Sequence, residues 1–147
     1  MDVSTEEFTH LAPAPALVQI PLENLPRVLP MVTVQLHEVA NRSRNNLSVT
    51  GMLEQFARGV WQLWIIWDGS VRAVLATEIY TNVAGVQVCA VRFATGEGSS
   101  DWLCLIDELE NWARFQDCAK LDMTARKGWA KKLPDYKLTH VLLEKDL

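Results

Sequence analysis

Residues 86–127 read VQVCAVRFATGEGSSDWLCLIDELENWARFQDCAKLDMTARK, and this stretch decides the fold. It opens on VQVCAVRF, a run typical of a strand, and closes on AKLDMT, a second strand candidate. Between them, a turn that contains glycine leads into apolar residues at helical spacing. A strand, a turn, a helix and a strand in direct succession predict a βαβ unit.

The turn of this unit has the residues of an anion site. Gly96, Gly98, Ser99 and Ser100 come just before the helix, where free backbone N–H groups and the helix dipole favour a phosphate or pyrophosphate. Glycine also occurs wherever a strand must turn tightly into a helix. On the turn alone, this structural explanation is the stronger one.

The helix after the turn has one apolar face. Ser99 or Ser100 can cap it, and Asp101 complements its dipole. The residues predicted to be buried follow i, i+3, i+4 spacing: Trp102, Leu105, Ile106, Leu109, Trp112 and Ala113. Asp107, Asn111 and Arg114 are predicted to face water.

Before this unit, the sequence predicts three antiparallel strands. Trp61–Trp67 is apolar on both faces, as is typical of a central strand covered by helices on both sides. Asp68-Gly69 is a strong hairpin signal, and it leads into a second strand, Val71–Thr81. The turn Asn82–Gly85 then leads into Val86–Phe93. The predicted fold class is therefore α/β, with a mixed, mostly antiparallel central sheet flanked by helices on both faces.

The N-terminal part divides into an arm and the start of the domain. Residues 1–16 contain APAPA, which sustains neither a helix nor a central strand. We expect an extended arm over 1–16 and a single domain over 17–147. A short strand is predicted at Leu17–Ile20.

Two helices are predicted before the central strands. The first is Glu23–Asn41, where Pro26 is tolerated in the first turn and Pro30 is expected to split the segment. The second is Val49–Arg58, capped by Ser48 and stopped at Gly59.

The C-terminal part predicts a strand, a short helix and a last strand. The strand is Ala119–Thr124 and the helix is Lys127–Leu133, ended by Pro134. Tyr136–Glu144 alternates two sets of side chains in the manner of a strand.

Composition excludes several classes of partner. Of 147 residues, 49% are hydrophobic and the net charge is −4, which argues against nucleic acid or an anionic membrane as partner. No signal peptide or spanning segment is predicted. The three cysteines, Cys89, Cys104 and Cys118, fit buried apolar positions in a reducing cytosol rather than a metal or disulfide site. We therefore expect a cytoplasmic protein that binds no metal.

The order of elements resembles the GNAT acyltransferase superfamily from Leu17 to Leu147. In that family the turn before the central helix is (Q/R)xxGx(G/A), and its amides hold the pyrophosphate of acetyl-CoA. The resemblance implies Arg92, Gly96, Gly98, Ser99 and Ser100 as cofactor-binding residues. Arg92, however, lies one residue too far upstream in Arg92-Phe93-Ala94-Thr95-Gly96-Glu97-Gly98. Glu97 also adds a negative charge beside the phosphates.

The C-terminal part departs further from the family pattern. The ending GWAKKLPDYKLTHVLLEKDL aligns with the family's short helix and last strand. In that alignment the tyrosine general acid falls on Ala130. More narrowly, CAVRF and the GW…L.DY…LEK ending resemble small GNAT-like proteins of tailed bacteriophages.

Acyl transfer needs a base for the amine and an acid for the leaving thiolate. Glu78, beside the strand that leads into the glycine turn, is the candidate base, although a solvated outer-face glutamate is the more common case. Tyr136 can take the role of the missing tyrosine general acid only if the chain folds back toward the site. The alternative is that Tyr136 packs in the core. His10, His37 and His140 form no triad or metal set.

Two hypotheses follow from these residues. In the first, the chain is a non-catalytic interaction or structural module with an eroded acyl-CoA site, such as a phage virion component. Its partners are then virion proteins or a second copy of the chain, and no cofactor is bound. In the second, it is an acetyl-CoA-dependent N-acetyltransferase. The shifted Arg92, Glu97 and the missing tyrosine favour the first.

Overall fold

The computed structural model describes residues 14–96, 103, 105–125 and 128–147. Their order is strand, helix pair, three strands, helix, strand and short helix. The elements are β1 (Ala16–Gln19), a 3-10 turn (Leu22–Asn24), α1 (Leu25–Arg42), α2 (Val49–Ala57), β2 (Gln62–Trp67), β3 (Val71–Thr81), β4 (Gln87–Ala94), α3 (Ile106–Phe115), β5 (Lys120–Met123) and α4 (Trp129–Lys132).

One sheet with the order β1-β2-β3-β4-β5 organises the domain. The pairs β1–β2, β2–β3 and β3–β4 are antiparallel, and β4–β5 is parallel. The predicted fold class, the βαβ unit and the interior position of the Trp61–Trp67 strand are therefore confirmed. Three residues, Asp68–Ser70, connect β2 to β3, with Gly69 at φ +104°.

The helices α1 and α2 cover one side of the sheet, which we call the helix-pair face. Leu63 and Ile65 of β2 point to this face, as their shared parity with Trp61 predicted. Its buried core consists of Leu25, Val32, Leu36, Met52, Phe56, Leu63, Ile65, Val74, Ala76 and Phe93. Ser48 caps α2 as predicted, because its Oγ accepts a hydrogen bond from the Gly51 N–H at 3.0 Å.

Pro30 does not split the first helix, so that prediction was wrong. The helix α1 continues through Pro30 to Arg42. Proline at this position removes one N–H donor, and the group left without it is the carbonyl of Pro26. Both prolines are exposed, so water can serve the freed carbonyl, and the apolar face of α1 holds the helix on the sheet.

The helix α3 covers the opposite side of the sheet, which we call the crevice face for the crevice described below. Leu105, Leu109 and Ala113 are buried there, while Asp107, Asn111 and Arg114 are exposed, as predicted. The buried core of this face consists of Trp64, Ile66, Ala73, Leu75, Val91, Leu105 and Leu109. The predicted cap at Ser99 or Ser100 lies outside the described residues, and so does Trp102, which was predicted to be buried.

The last predicted strand is wrong. Tyr136–Glu144 has the alternation of a strand, but residues 137–147 form neither helix nor strand. A strand requires a hydrogen-bonded neighbour, and this segment pairs with no strand of the sheet in the described chain. Several of its apolar side chains are therefore exposed: Leu138, Val141, Leu142, Leu143 and Leu147.

The first strand begins one residue earlier than predicted. Ala16 is already paired with Trp67, so the first strand begins there rather than at Leu17. Residues 1–13 lie outside the described chain, and the extended arm stays a prediction.

Candidate functional site

The glycine turn begins directly at the end of β4. Thr95 is 6% exposed and ties the turn to β3, since its N–H donates to the Val74 carbonyl and its Oγ1 accepts from the Val74 N–H, both at 2.9 Å. Gly96 follows with φ +127°. A Cβ at Gly96 would lie 2.9 Å from the Ala73 Cβ. Close packing against β3 therefore requires glycine here, whether or not the turn binds a phosphate.

The remaining predicted cofactor-binding residues, Gly98, Ser99 and Ser100, lie outside the described residues, and so does Glu97. Of the predicted cofactor-binding residues, the structure places Gly96 and Arg92.

A crevice opens where the two parallel strands stop pairing. The last β4–β5 partners are Val91 and Met123, and ligands of α/β sheets characteristically bind beyond the carboxyl ends of such strands. The crevice has a volume of about 20 Å³, room for roughly one water molecule. The lining residues that the structure describes are all apolar: Leu75, Val91, Ala94, Ile106, Met123, Trp129 and Leu133.

Side chains from α4 and the residue after it form part of the crevice wall. Trp129 and Leu133 reach into the crevice, and Lys132 Nζ lies 5.1 Å from the centroid of the Trp129 ring. Together with the other described lining residues, they leave the crevice room for about one water molecule.

Glu78, the candidate base, and Arg92, a predicted cofactor-binding residue, form an ion pair with each other. Arg92 Nε lies 3.1 Å from Glu78 Oε1, and Trp61 Nε1 donates to the same oxygen at 2.9 Å. Within the described chain, Glu78 Oε2 accepts no hydrogen bond. Trp61 packs against Phe56 of α2 with ring centroids 5.9 Å apart, so this ion pair lies on the helix-pair face and not in the crevice.

A β-bulge explains the direction of Arg92. Ala76 pairs with Phe93 but the next residue, Thr77, pairs with Val91, so Arg92 is the extra residue of β4. A bulge re-aims the side chain it contains. Arg92 thereby lies 5.6 Å from the centroid of the Tyr80 ring, on the side of Glu78.

Tyr80 and Asp122 extend this group toward β5. The Tyr80 hydroxyl donates to Asp122 Oδ2 at 2.8 Å, and that hydrogen bond, with a smaller contribution from burial, raises the pKa of Tyr80. Trp61 and Asp122 were not singled out from the sequence. A signal existed for the ion pair itself: counting back from the Asn82–Gly85 turn places Glu78 diagonal to Arg92 on neighbouring strands.

Tyr136 folds back onto α3. Its hydroxyl donates to Glu110 Oε2 at 2.6 Å. Burial, and then this hydrogen bond, raise the pKa of Tyr136 well above its usual range. A tyrosine with a raised pKa and an engaged hydroxyl is a weaker proton donor for a thiolate than an ordinary one. The half-buried position of Tyr136 agrees with the packing alternative.

Two further findings concern metals and membranes. Within residues 14–96, 103, 105–125 and 128–147, no group of three His, Cys, Asp or Glu side chains could hold a metal ion. In the same ranges, no helix combines the length and the hydropathy needed to cross a bilayer.

Comparisons with known proteins give relatives by structure and none by sequence. No family profile and no curated protein matches the sequence. An aminoglycoside acetyltransferase from an uncultured soil metagenomic sample, solved with sisomicin, matches with a TM-score of 0.65 and 11% identity, over 91% of this chain and 97% of that one.

Two further acetyltransferase structures match at similar levels. A predicted acetyltransferase from Clostridium acetobutylicum, solved with acetyl-CoA, has a TM-score of 0.58 and 17% identity, over 90% of this chain and 96% of that one. Ribosomal-protein-alanine N-acetyltransferase from Brucella melitensis biovar Abortus 2308 has a TM-score of 0.60 and 13% identity, over 90% and 100%. These neighbours are GNAT acetyltransferases, and the chain shares their fold.

Proposed function

We propose that this chain is a GNAT-fold protein that works as a non-catalytic protein-interaction module. The observation that carries the proposal is the filled crevice at the carboxyl ends of β4 and β5. Trp129 and Leu133 leave about 20 Å³ there. An acyl-CoA enzyme must keep this space open for its cofactor, whereas an interaction module gains stability from closing it.

The contacts of the predicted cofactor-binding and catalytic residues support the same proposal. Arg92 is paired with Glu78 on the far side of the sheet from the crevice, so its charge does not face a phosphate at the glycine turn. Tyr136 is bound to Glu110, and Ala130 stands where the resemblance expects a tyrosine. The fold carries no activity by itself.

An acetyl-CoA-dependent N-acetyltransferase is the second candidate. Gly96 at the end of β4 and a structural neighbour solved with acetyl-CoA favour it. Glu78 Oε2, without a hydrogen bond in the described chain, could accept a proton from an amine. Against this, close packing on Ala73 already accounts for Gly96.

The partner proposed for the module is a protein, in keeping with the net charge of −4, which disfavours nucleic acid. A role in a phage virion has the resemblance of CAVRF and the C-terminal residues as its support. The predicted arm, N-terminal to β1, is a candidate contact, since an Ala-Pro segment is already extended and loses little entropy on docking.

Titration of acetyl-CoA into the purified protein by calorimetry tests the proposal. We expect no binding tighter than about 1 mM, or about −4 kcal/mol. Micromolar binding to the unmodified chain would make the transferase the leading account.

A pair of variants tests the stated cause. If the filled crevice is what excludes the cofactor, Trp129→Ala should bind acetyl-CoA more tightly than the unmodified chain. Trp112→Ala is the matched control, because Trp112 packs on Trp64 with ring centroids 4.8 Å apart and does not line the crevice. Equal affinities of the two variants would contradict the steric explanation.

A further inference from the structure

The segment that joins α1 to α2 is positively charged in a chain whose net charge is −4. Residues 39–53 read VANRSRNNLSVTGML, with two arginines and no acidic residue. Arg42 and Arg44 are exposed, and within the described chain neither forms an ion pair. An unpaired cationic patch on an acidic protein attracts an anionic partner to one place on its surface. Residues 42–48 are here called the basic connection.

Hydrogen bonds within the chain fix the shape of the basic connection. Ser43 Oγ donates to the Ala40 carbonyl at 2.7 Å and accepts from the Leu47 N–H at 2.9 Å. The Asn46 N–H donates to the Ser43 carbonyl at 3.2 Å. A surface that is already ordered in this way loses little entropy when a ligand binds.

Two backbone donors of the basic connection are open. The N–H groups of Arg44 and Asn45 donate no hydrogen bond in the part of the chain that the structure describes. Ser43 is in the αR region and Arg44 follows at φ +56°, an arrangement in which successive N–H groups converge on an anion. The basic connection therefore offers an anion neutral donors as well as two guanidinium groups.

A carboxylate of the same chain already lies at this place. Asn46 Nδ2 donates to Glu144 Oε2 at 3.1 Å, so residues 137–147, here called the tail, bring an anionic group to the basic connection. Both side chains are exposed, where water competes and a hydrogen bond adds little. Glu144 forms no ion pair with Arg42 or Arg44 among the described residues. Both charges are therefore available to a ligand with more carboxylates.

We propose that the basic connection binds an acidic segment of a protein partner, which displaces the Glu144 carboxylate of the tail. A segment with neighbouring Asp or Glu side chains pairs with both arginines and accepts from the open N–H groups. The carboxylate that already lies there favours a peptide over a nucleic acid. So does the composition of residues 39–53, which contain no Phe, Tyr or Trp, because single-stranded nucleic acids stack on aromatic side chains.

Fluorescence anisotropy of a labelled hexaglutamate peptide, titrated with the full chain at low ionic strength, tests the charge of the site. The unmodified chain should bind the peptide, and Arg42→Gln with Arg44→Gln should weaken binding by about five-fold or more. Arg27→Gln with Arg58→Gln is the control: these exposed arginines lie at the far ends of the two helices, and their loss should change the affinity little. Equal losses in the two double variants, or no binding by the unmodified chain, would overturn the proposal.

Two tail variants test the displacement. Glu144→Ala should tighten peptide binding by about two- to five-fold, because the internal competitor is lost. Asp146→Ala removes the same charge from the tail without removing the hydrogen bond to Asn46, so it should change the affinity less. Equal effects of the two variants would mean that the tail acts through its total charge alone, which contradicts displacement at Asn46.

A single-stranded oligonucleotide of equal charge separates the two classes of partner. It should bind more weakly than the hexaglutamate peptide. Tighter binding, lost in the Arg42 and Arg44 double variant, would make this a site for phosphate and sink the proposal. The inference takes from the proposed function only that the partner is a protein. None of these measurements involves acetyl-CoA, so their failure is distinct from failure of the proposed function.

Discussion

The two faces of the sheet differ in how completely their core side chains are buried. On the helix-pair face, seven of the ten buried core side chains are at most 1% exposed: Val32, Leu36, Met52, Phe56, Leu63, Val74 and Ala76. On the crevice face, three of the seven buried core side chains reach this level, namely Ile66, Ala73 and Leu109, and gaps of about 10 and about 20 Å³ lie among the described side chains. We therefore expect the crevice face to rearrange more easily than the helix-pair face.

The largest expected difference between the faces comes from two matched leucine substitutions. Leu36→Ala should lower the free energy of unfolding by an amount near the upper end of about 2–5 kcal/mol, because a close-packed site cannot collapse around the cavity. Leu133→Ala should stay near the lower end, since Leu133 borders a crevice that can already rearrange.

Urea denaturation of the two variants measures this difference. Both leucines are buried, at 1% and 7% exposure, so the loss of transfer free energy is similar and the cavity term separates them. Equal losses of stability would mean that the crevice face is as rigid as the helix-pair face.

The sequence predicted the parts of this fold whose side chains alternate on a regular element. Trp64 and Ile66 of β2 are buried on the crevice face, and Leu63 and Ile65 on the other. Because successive side chains of a strand point to opposite faces of the sheet, this division of β2 follows directly from the sequence. The helical spacing of Leu105 and Leu109 did the same for α3.

The sequence did not predict features that depend on which groups find a partner. The alternation in Tyr136–Glu144 predicts a strand, yet residues 137–147 join no sheet. The bulge that makes Arg92 an extra residue of β4 is set by hydrogen-bond register rather than by residue pattern. The small volume of the crevice was not predicted either, because it depends on where Trp129 of α4 and Leu133 pack.

The next largest effect on stability is expected at Gly96, shortly after β4. Gly96→Ala should destabilise the protein by about 1–3 kcal/mol through backbone strain at a positive φ, and further because the new Cβ would meet Ala73 at 2.9 Å. Gly85→Ala is the control: it has φ +79° and open space around it, so it should cost only the strain, about 1 kcal/mol.

Thermal or urea unfolding of both glycine variants checks this expectation. A larger loss for Gly96→Ala isolates the close approach of β3 to the turn. If Gly85→Ala proved equally costly, the contact with Ala73 would yield easily, and a phosphate-binding role would regain weight as the reason for glycine at position 96.

The smallest expected effect is a pH dependence of the free energy of unfolding that arises from Cys89, on the crevice face. Cys89 lies on β4 two residues before Val91, so it points to the same side of the sheet, and it is fully buried. Burial, with smaller contributions from Cys118 and Asp122, raises the pKa of the Cys89 thiol from 9.0 to about 12. The unfolded chain loses this proton near pH 9, whereas the folded chain keeps it. The stabilisation is therefore complete below pH 9 and is lost as the pH rises toward 12, by about 1 kcal/mol at pH 10.

The free energy of unfolding, measured at pH 8 and pH 10, should fall less for Cys89→Ala than for the unmodified chain. Tyr136→Phe is the comparison, because the Tyr136 hydroxyl ionises in the unfolded chain only near pH 10, and this variant should keep most of the decline. If Cys89→Ala and the unmodified chain lost stability in parallel, the thiol would be reached by water at this end of the sheet, and the crevice face would be open along its whole length.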